Sequence, residues 1–92
     1  IGSNLGNKFL NIDKAKAYLN ENKIEIIDSS SYYETPSWPN PTFPKFINIV
    51  IKIRTKLDYL DLFNVCKNIE IKMGRKKSSK NSPRICDLDI IA

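Results

Sequence analysis

Apolar side chains recur every three or four positions in two stretches of the chain, which predicts two helices. The first helix runs from Lys8 to about Asn22, with an apolar face formed by Phe9, Ile12, Ala15 and Leu19. The second runs to about Met73, with an apolar face formed by Leu62, Cys66, Ile69 and Met73. Asp58 can cap the start of the second helix, and Gly74 follows its end, where glycine accepts the left-handed conformation.

Four other stretches have the character of strands. Residues 24–33 are rich in β-branched and aromatic side chains, and residues 46–56 and 86–91 alternate between two faces. Residues 1–2 resemble the end of a further strand. Four prolines within residues 36–44 predict a stiff connecting loop, because proline fixes φ and donates no backbone hydrogen bond.

The order of these elements is strand, helix, strand, strand, helix, strand. Two helices cover one face of such a sheet, so we expect one α+β domain over residues 1–92, a ferredoxin-like βαββαβ sandwich with an antiparallel sheet. The face under the helices contains Ile47, Ile49, Ile51 and Ile53. Phe46 and Asn48 then lie on the open face. Because Leu88 points to the helices, Asp87 and Asp89 lie on the open face as well.

Composition changes this picture little. Hydrophobic residues make up 41% and charged residues 27% of the chain, which is typical of a globular domain. The net charge of +5 favours anionic partners, although 12 of the 15 cations are Lys, a bias that an AT-rich genome also produces. No apolar run approaches the length of a membrane span, so we expect no membrane partner and a cytoplasmic location.

Two residue types limit the chemistry. The chain contains no histidine, which excludes Ser-His-Asp and Cys-His catalysis within it. Cys66 and Cys86 lie in apolar surroundings without metal-ligand spacing, and we expect them to be small buried side chains in a reducing compartment.

The pair Asp87 and Asp89 is the main candidate for chemistry. Two carboxylates side by side on a strand repel each other, and a hard divalent cation such as Mg²⁺ relieves that repulsion. Upstream of them lies a cationic cluster that suits phosphate, formed by Arg75, Lys76, Lys77, Lys80 and Arg84. The alternative is a solvated strand face beside a solvated basic loop. Metal and cations together favour phosphoryl-type transfer, which depends on positioning and charge neutralisation.

Several segments, in order, resemble the 6-hydroxymethyl-7,8-dihydropterin pyrophosphokinases of folate biosynthesis. The resemblance spans essentially the whole chain and is carried by residues 1–7 (IGSNLGN), 30–36 (SSYYETP), 46–48 (FIN), 70–75 (EIKMGR) and 83–91 (PRICDLDII). It implies a ferredoxin-like fold and transfer of pyrophosphate from ATP to the pterin hydroxymethyl group, with release of AMP. We further expect a monomer that binds no nucleic acid.

The resemblance assigns roles to individual residues. The implied magnesium ligands, for two ions bound with ATP, are Asp87 and Asp89. These two are also implied to be catalytic, together with Arg75 and Arg84. The implied pterin-binding residues are Gly2, Thr35, Pro36, Trp38, Phe46 and Asn48. The implied ATP-binding residues are Lys67, Glu70, Arg75, Lys77, Arg84 and Ile90.

The chain departs from the family pattern at several points. Lys67 stands where a Gln is frequent, Asn81 where some members have a Trp, and Ser82 where Gly or Ala is usual. The family also continues past Ala92 with a segment that carries further nucleotide and pterin contacts. We therefore expect the sequence to be a fragment trimmed at both ends, and the isolated 92 residues to be poorly active.

Two alternatives remain at this point. One is a ferredoxin-like RNA-binding module, which explains Phe46 and the basic charge but not two carboxylates on the binding face. The other is an inactive fragment of the enzyme.

Overall fold

The computed structural model describes residues 1–37, 40–74 and 83–91. Within these ranges there are two helices and five short strands. In chain order they are β1 (Gly2–Ser3), α1 (Lys8–Glu21), β2 (Glu25–Ser29), β3 (Tyr33–Thr35), β4 (Phe46–Asn48), β5 (Ile51–Arg54) and α2 (Tyr59–Lys72). No helix in the described ranges is long and apolar enough to cross a membrane.

Both helices begin at side-chain caps. The Asn7 side chain accepts a hydrogen bond from the Leu10 N–H at 3.1 Å, and the Asp58 carboxylate accepts one from the Asp61 N–H at 2.9 Å. Gly74 follows α2 with a φ of +101°, a conformation that suits glycine. The predicted cap and end of the second helix are therefore confirmed.

One predicted core residue of α1 is wrong. Ile12, Ala15 and Leu19 are buried, but Phe9 in the first turn is 51% exposed. Its ring packs edge-on against Tyr32, with the ring centroids 5.0 Å apart. At that turn the apolar face of α1 has reached the margin of the core, where a neighbouring aromatic side chain shields part of the ring.

The predicted strands at residues 24–33 and 46–56 are each split in two. β1, β4 and β3 form one antiparallel sheet in the order β1-β4-β3, and β2 pairs with β5 in a second one. The break lies at Ile49 and Val50. The Ile49 N–H donates to the Ile1 carbonyl, whereas the Val50 N–H donates to the Ser30 hydroxyl in place of a backbone carbonyl. A side chain therefore interrupts the ladder that the sequence alternation predicts as continuous.

The alternation over residues 86–91 predicts a strand, but in the structure this segment forms a single bridge. Asp87 pairs antiparallel with Gly2 through two backbone hydrogen bonds of 2.9 and 2.8 Å. The next N–H, that of Leu88, donates to a side chain of α2. Alternation nevertheless holds, because Cys86 and Leu88 are buried whereas Asp89 and Ile91 are exposed.

With this bridge, β1 lies between Asp87 and β4, and β4 lies between β1 and β3. The arrangement is an α+β fold of the ferredoxin-like type, as the order of elements predicts. Residues from both helices, from the turn between α1 and β2, and from the last segment form the core: Ala15, Leu19, Ile24, Leu62, Cys66, Ile69, Cys86 and Leu88.

Candidate active site

The sheet register gathers the predicted site residues on one face. Residues directly opposite each other in an antiparallel pair project from the same face. Gly2 lies opposite both Asn48 and Asp87, and Thr35 lies opposite Phe46. Ser3, the neighbour of Gly2, projects the other way and accepts a hydrogen bond from Asn11 of α1. The open face therefore carries an amide, an aromatic ring and a carboxylate, as the alternation predicts.

Gly2 leaves room for the amide at the centre of this face. A Cβ atom on residue 2 would lie 2.7 Å from Asn48 Oδ1 and 3.3 Å from the Phe46 ring. The Asn48 Nδ2 donates to Thr35 Oγ1 at 2.9 Å, which orients the amide. These four residues form a small polar recess with one aromatic wall, and any side chain larger than hydrogen at Gly2 would displace Asn48.

The carboxylate of Asp87 lies beside the recess and is paired. Its Oδ1 lies 3.4 Å from Arg84 Nη1, and the two side chains are only 22% and 17% exposed. A partly buried pair of this kind holds both groups in place better than an exposed pair does. Asp89, two residues on, is exposed. One candidate carboxylate is thus fixed by an arginine and the other faces solvent.

Arg84 is itself held by a residue that the sequence analysis did not single out. Asn4 is 1% exposed. Its Oδ1 accepts from the Arg84 N–H at 2.7 Å, and its own N–H donates to the Arg84 carbonyl at 3.0 Å. Its Nδ2 donates to the Pro44 carbonyl at 3.0 Å. Asn4 therefore joins β1 to the proline-rich loop and to the Arg84 segment.

The predicted nucleotide residues of α2 have a different environment. Glu70 is 1% exposed and accepts a hydrogen bond from the Leu88 N–H. Lys67 Nζ lies 3.2 Å from Glu70 Oε1 and 5.2 Å from the centre of the Phe63 ring. Ile90 is partly buried against the core, and Pro36 is exposed.

Three of the predicted site residues lie outside the described residues: Trp38, Arg75 and Lys77. The remainder of the cationic cluster upstream of Arg84 lies outside them as well.

A groove of about 630 Å³ reaches from Gly2, Asn48 and Asp87 to core residues of the two helices, Leu19, Leu62 and Cys66. Gly2, Asn48, Asp87 and Asp89 contribute its polar lining near the site, and the rest of its wall is mostly apolar.

The two cysteines are free and buried, as predicted. Burial raises the pKa of the Cys86 thiol to about 12, and the nearby charge of Glu70 acts in the same direction. Burial, with a smaller effect of Glu70, also raises the pKa of Cys66. Both thiols therefore stay protonated near neutral pH, which excludes them as thiolate nucleophiles.

We expect iodoacetamide to leave Cys86 unmodified in the folded protein at pH 8, because the thiol is 2% exposed and burial raises its pKa to about 12. The folded thiol stays protonated while the unfolded one ionises near its ordinary value of 9.0. Its contribution to stability is therefore complete below pH 9 and is lost as the pH rises toward 12. Mass spectrometry of samples labelled with and without urea measures the difference. Equal labelling of Cys86 in both samples would contradict this prediction.

The chain matches known proteins over its whole length. Residues 1–92 match the family model described as 7,8-dihydro-6-hydroxymethylpterin-pyrophosphokinase (HPPK). A protein of Methylorubrum extorquens named 2-amino-4-hydroxy-6-hydroxymethyldihydropteridine pyrophosphokinase is 32% identical over 100% of the chain, and one of Aquifex aeolicus with the same name is 36% identical over 99%. The folic acid synthesis protein fol1 of Schizosaccharomyces pombe is 40% identical over 98% of the chain.

These relatives are longer than the chain. The chain spans 59% of the Methylorubrum protein, 56% of the Aquifex protein and 12% of the Schizosaccharomyces protein. The match of the family model covers all of the segments that carry the resemblance, because it extends over all 92 residues. The chain belongs to the 7,8-dihydro-6-hydroxymethylpterin-pyrophosphokinase family.

Proposed function

We propose that the gene product that contains this chain transfers pyrophosphate from ATP to the hydroxymethyl group of 6-hydroxymethyl-7,8-dihydropterin. The hydroxymethyl oxygen forms a bond to the β-phosphorus of ATP and loses its proton. The bond between the β-phosphorus and the oxygen shared with the α-phosphate breaks, and AMP leaves with that oxygen. The observation that carries the proposal is the open sheet face, where the Asn48 amide and the Asp87 carboxylate flank Gly2.

The pterin half of the proposal rests on Asn48, Phe46 and Thr35. A pterin is a flat heterocycle with donors and acceptors along one edge. An Asn amide offers one acceptor and two donors, and Thr35 fixes its orientation. Phe46 provides a ring for stacking beside it. The resemblance also implies pterin contacts from Pro36, which directly follows Thr35 in the chain, and from Trp38.

The phosphate half rests on Asp87, Asp89 and Arg84. The donor set fits Mg²⁺, which takes oxygen ligands and is usually held by one or two carboxylates, with substrate phosphates and water completing its shell. In the described ranges no group of three or more His, Cys, Asp or Glu side chains is placed to hold a metal ion by itself. Bound Mg²⁺ would neutralise phosphate charge and orient the reacting oxygens. Arg84 would contact phosphate directly, with Arg75 and Lys77 as further cations.

The proposal competes with binding of single-stranded RNA on the same face. The Asp87 carboxylate beside Phe46 and Asn48 disfavours RNA, because it repels phosphates unless a metal intervenes. We also propose that the enzyme is a monomer, that it is cytoplasmic and that it binds no nucleic acid.

The test uses the complete gene product purified with Mg²⁺. We expect AMP and the pterin diphosphate to form in equal amounts from ATP and the hydroxymethylpterin, measured by chromatography. We also expect a non-hydrolysable ATP analogue with Mg²⁺ and pterin to raise the melting temperature, and single-stranded RNA to leave it unchanged. Stabilisation by RNA alone, without AMP formation, would refute the proposal. Specific binding of both substrates by the complete gene product, without formation of AMP, would contradict the proposed transfer and favour a non-catalytic protein.

A further inference from the structure

Glu70 is a buried acid on the inner face of α2. It is 1% exposed, although carboxylates are almost never fully buried unless they are paired. One oxygen, Oε1, accepts from Lys67 Nζ at 3.2 Å. The other, Oε2, accepts from the backbone N–H of Leu88 at 2.7 Å. A hydrogen bond accepted by an ionised carboxylate is shorter and stronger than one between neutral groups.

The contact between Glu70 and Leu88 bears on the candidate metal ligands, because Leu88 lies between Asp87 and Asp89 in the chain. The backbone N–H and carbonyl of Asp87 are both bonded to Gly2 on one side of the segment. Successive N–H groups of an extended chain point to opposite sides, so the Leu88 N–H points away from β1. Glu70 supplies the acceptor on that side, where a neighbouring strand would otherwise have supplied a carbonyl.

The two contacts together fix the peptide that links the candidate metal ligands. Gly2 holds Asp87 from one side, and Glu70 holds Leu88 from the other. The side chain of Leu88 is buried in the core and cannot swing outward. The directions in which Asp87 and Asp89 leave the backbone are therefore set by a carboxylate on α2, about 18 residues away in the chain.

We propose that Glu70 is a positioning residue for the pair Asp87 and Asp89, and that it acts through the Leu88 N–H and not by contact with the nucleotide. The inference rests on the proposed function of that pair. Groups that orient metal ligands typically account for about 10- to 100-fold in metal affinity. The affinity for the metal should therefore be the quantity that changes when Glu70 is altered.

Three substitutions of Glu70 distinguish a positioning role through the Leu88 N–H from direct contact with the nucleotide. Glu70→Gln keeps an oxygen that can accept from Leu88, Glu70→Asp withdraws the carboxylate by one methylene, and Glu70→Leu removes the acceptor. We expect the Asp and Leu variants to bind Mn²⁺ in the presence of a non-hydrolysable ATP analogue about tenfold more weakly or worse. Glu70→Gln should stay within about threefold of the parent protein, because its acceptor is retained. The exposed Glu21, replaced in the same three ways, serves as the control.

Mn²⁺ binding is measured by electron paramagnetic resonance, and exchange of the Leu88 amide proton by NMR. Faster exchange at Leu88 in the Asp and Leu variants, together with weaker Mn²⁺ binding, would establish the role. If Glu70→Leu does not fold, the comparison of Gln with Asp decides the question. The proposal would be overturned if a folded Glu70→Asp variant bound Mn²⁺ as tightly as the parent protein. It would also be overturned if Glu70→Gln bound the ATP analogue more weakly in the absence of metal. Neither measurement needs turnover, so absence of AMP formation by the parent protein would refute the proposed function separately.

Discussion

Replacement of Asp89 by Asn is expected to lower turnover by roughly 10³-fold and to leave the affinity for the pterin within about twofold. The substitution keeps the size of the side chain and removes its charge. Asp89 is exposed on the open side of the segment 86–91, so the fold should not depend on its charge. If the Mg²⁺ that neutralises the ATP phosphates is held there, loss of the charge removes a ligand that binding of the pterin does not need.

Asp89 is a cleaner target than Asp87. Substitution of Asp87 would also release Arg84, whose Nη1 lies 3.4 Å from its carboxylate, and two effects would be mixed. The measurement is kcat as a function of Mg²⁺ concentration, with pterin affinity determined by calorimetry. Asp13→Asn, at an exposed position of α1, is the matched control. Normal Mg²⁺-dependent turnover in Asp89→Asn would contradict a metal role for this residue.

Alternation along the strands is sufficient to predict which face carries the site. Phe46 and Asn48 are separated by one buried-side residue, as are Asp87 and Asp89, and the period of two places each pair on one side. The register then brings Asn48 and Asp87 to either side of Gly2. The face on which each of these pairs lies can be predicted from local sequence, because the side chains of a strand project to only two faces.

The contacts that hold the site in place cannot be predicted from the sequence in this way. Asn4 accepts from the N–H of Arg84, 80 positions along the chain, and Glu70 accepts from Leu88. Neither contact has a spacing signal, since each depends on how separate elements meet in the fold. Asn4 lies in a stretch rich in Gly, Asn and Ser that is equally typical of a simple turn. An acid such as Glu70 on a helix is most often exposed, and only the packing of α2 against the last segment buries it.

For a related reason, the sequence does not predict the breaks that divide residues 24–33 and 46–56 into two strands each. Ser30 and Val50 both occupy positions that favour an extended chain, and β-branched or hydroxyl side chains do not by themselves mark an interruption. The break arises because the Ser30 hydroxyl accepts from the Val50 N–H at 2.8 Å. Side-chain competition for a backbone group of this kind depends on the neighbouring strand and not on local propensity.

Asn4→Ala is expected to lower the free energy of unfolding by about 1–3 kcal/mol and to impair the use of both substrates. The substitution leaves the Arg84 N–H and the Pro44 carbonyl without their side-chain partner. Arg84 belongs to the proposed phosphate site, and Pro44 closes the loop that leads into Phe46. The loss of one buried amide should therefore raise the KM for ATP and for the pterin together.

Asn4→Asp distinguishes the effect on the KM for ATP from the effect on the KM for the pterin. A carboxylate at residue 4 can still accept from the Arg84 N–H, but it cannot donate to the Pro44 carbonyl and repels it. We therefore expect the KM for the pterin to rise more than the KM for ATP in this variant, whereas Asn4→Ala raises both. Urea unfolding and steady-state kinetics measure the two effects, with the exposed Asn64 replaced by Ala and Asp as controls. Equal increases in both KM values for Asn4→Asp would show that Asn4 supports the fold as a whole and does not link two separate binding segments.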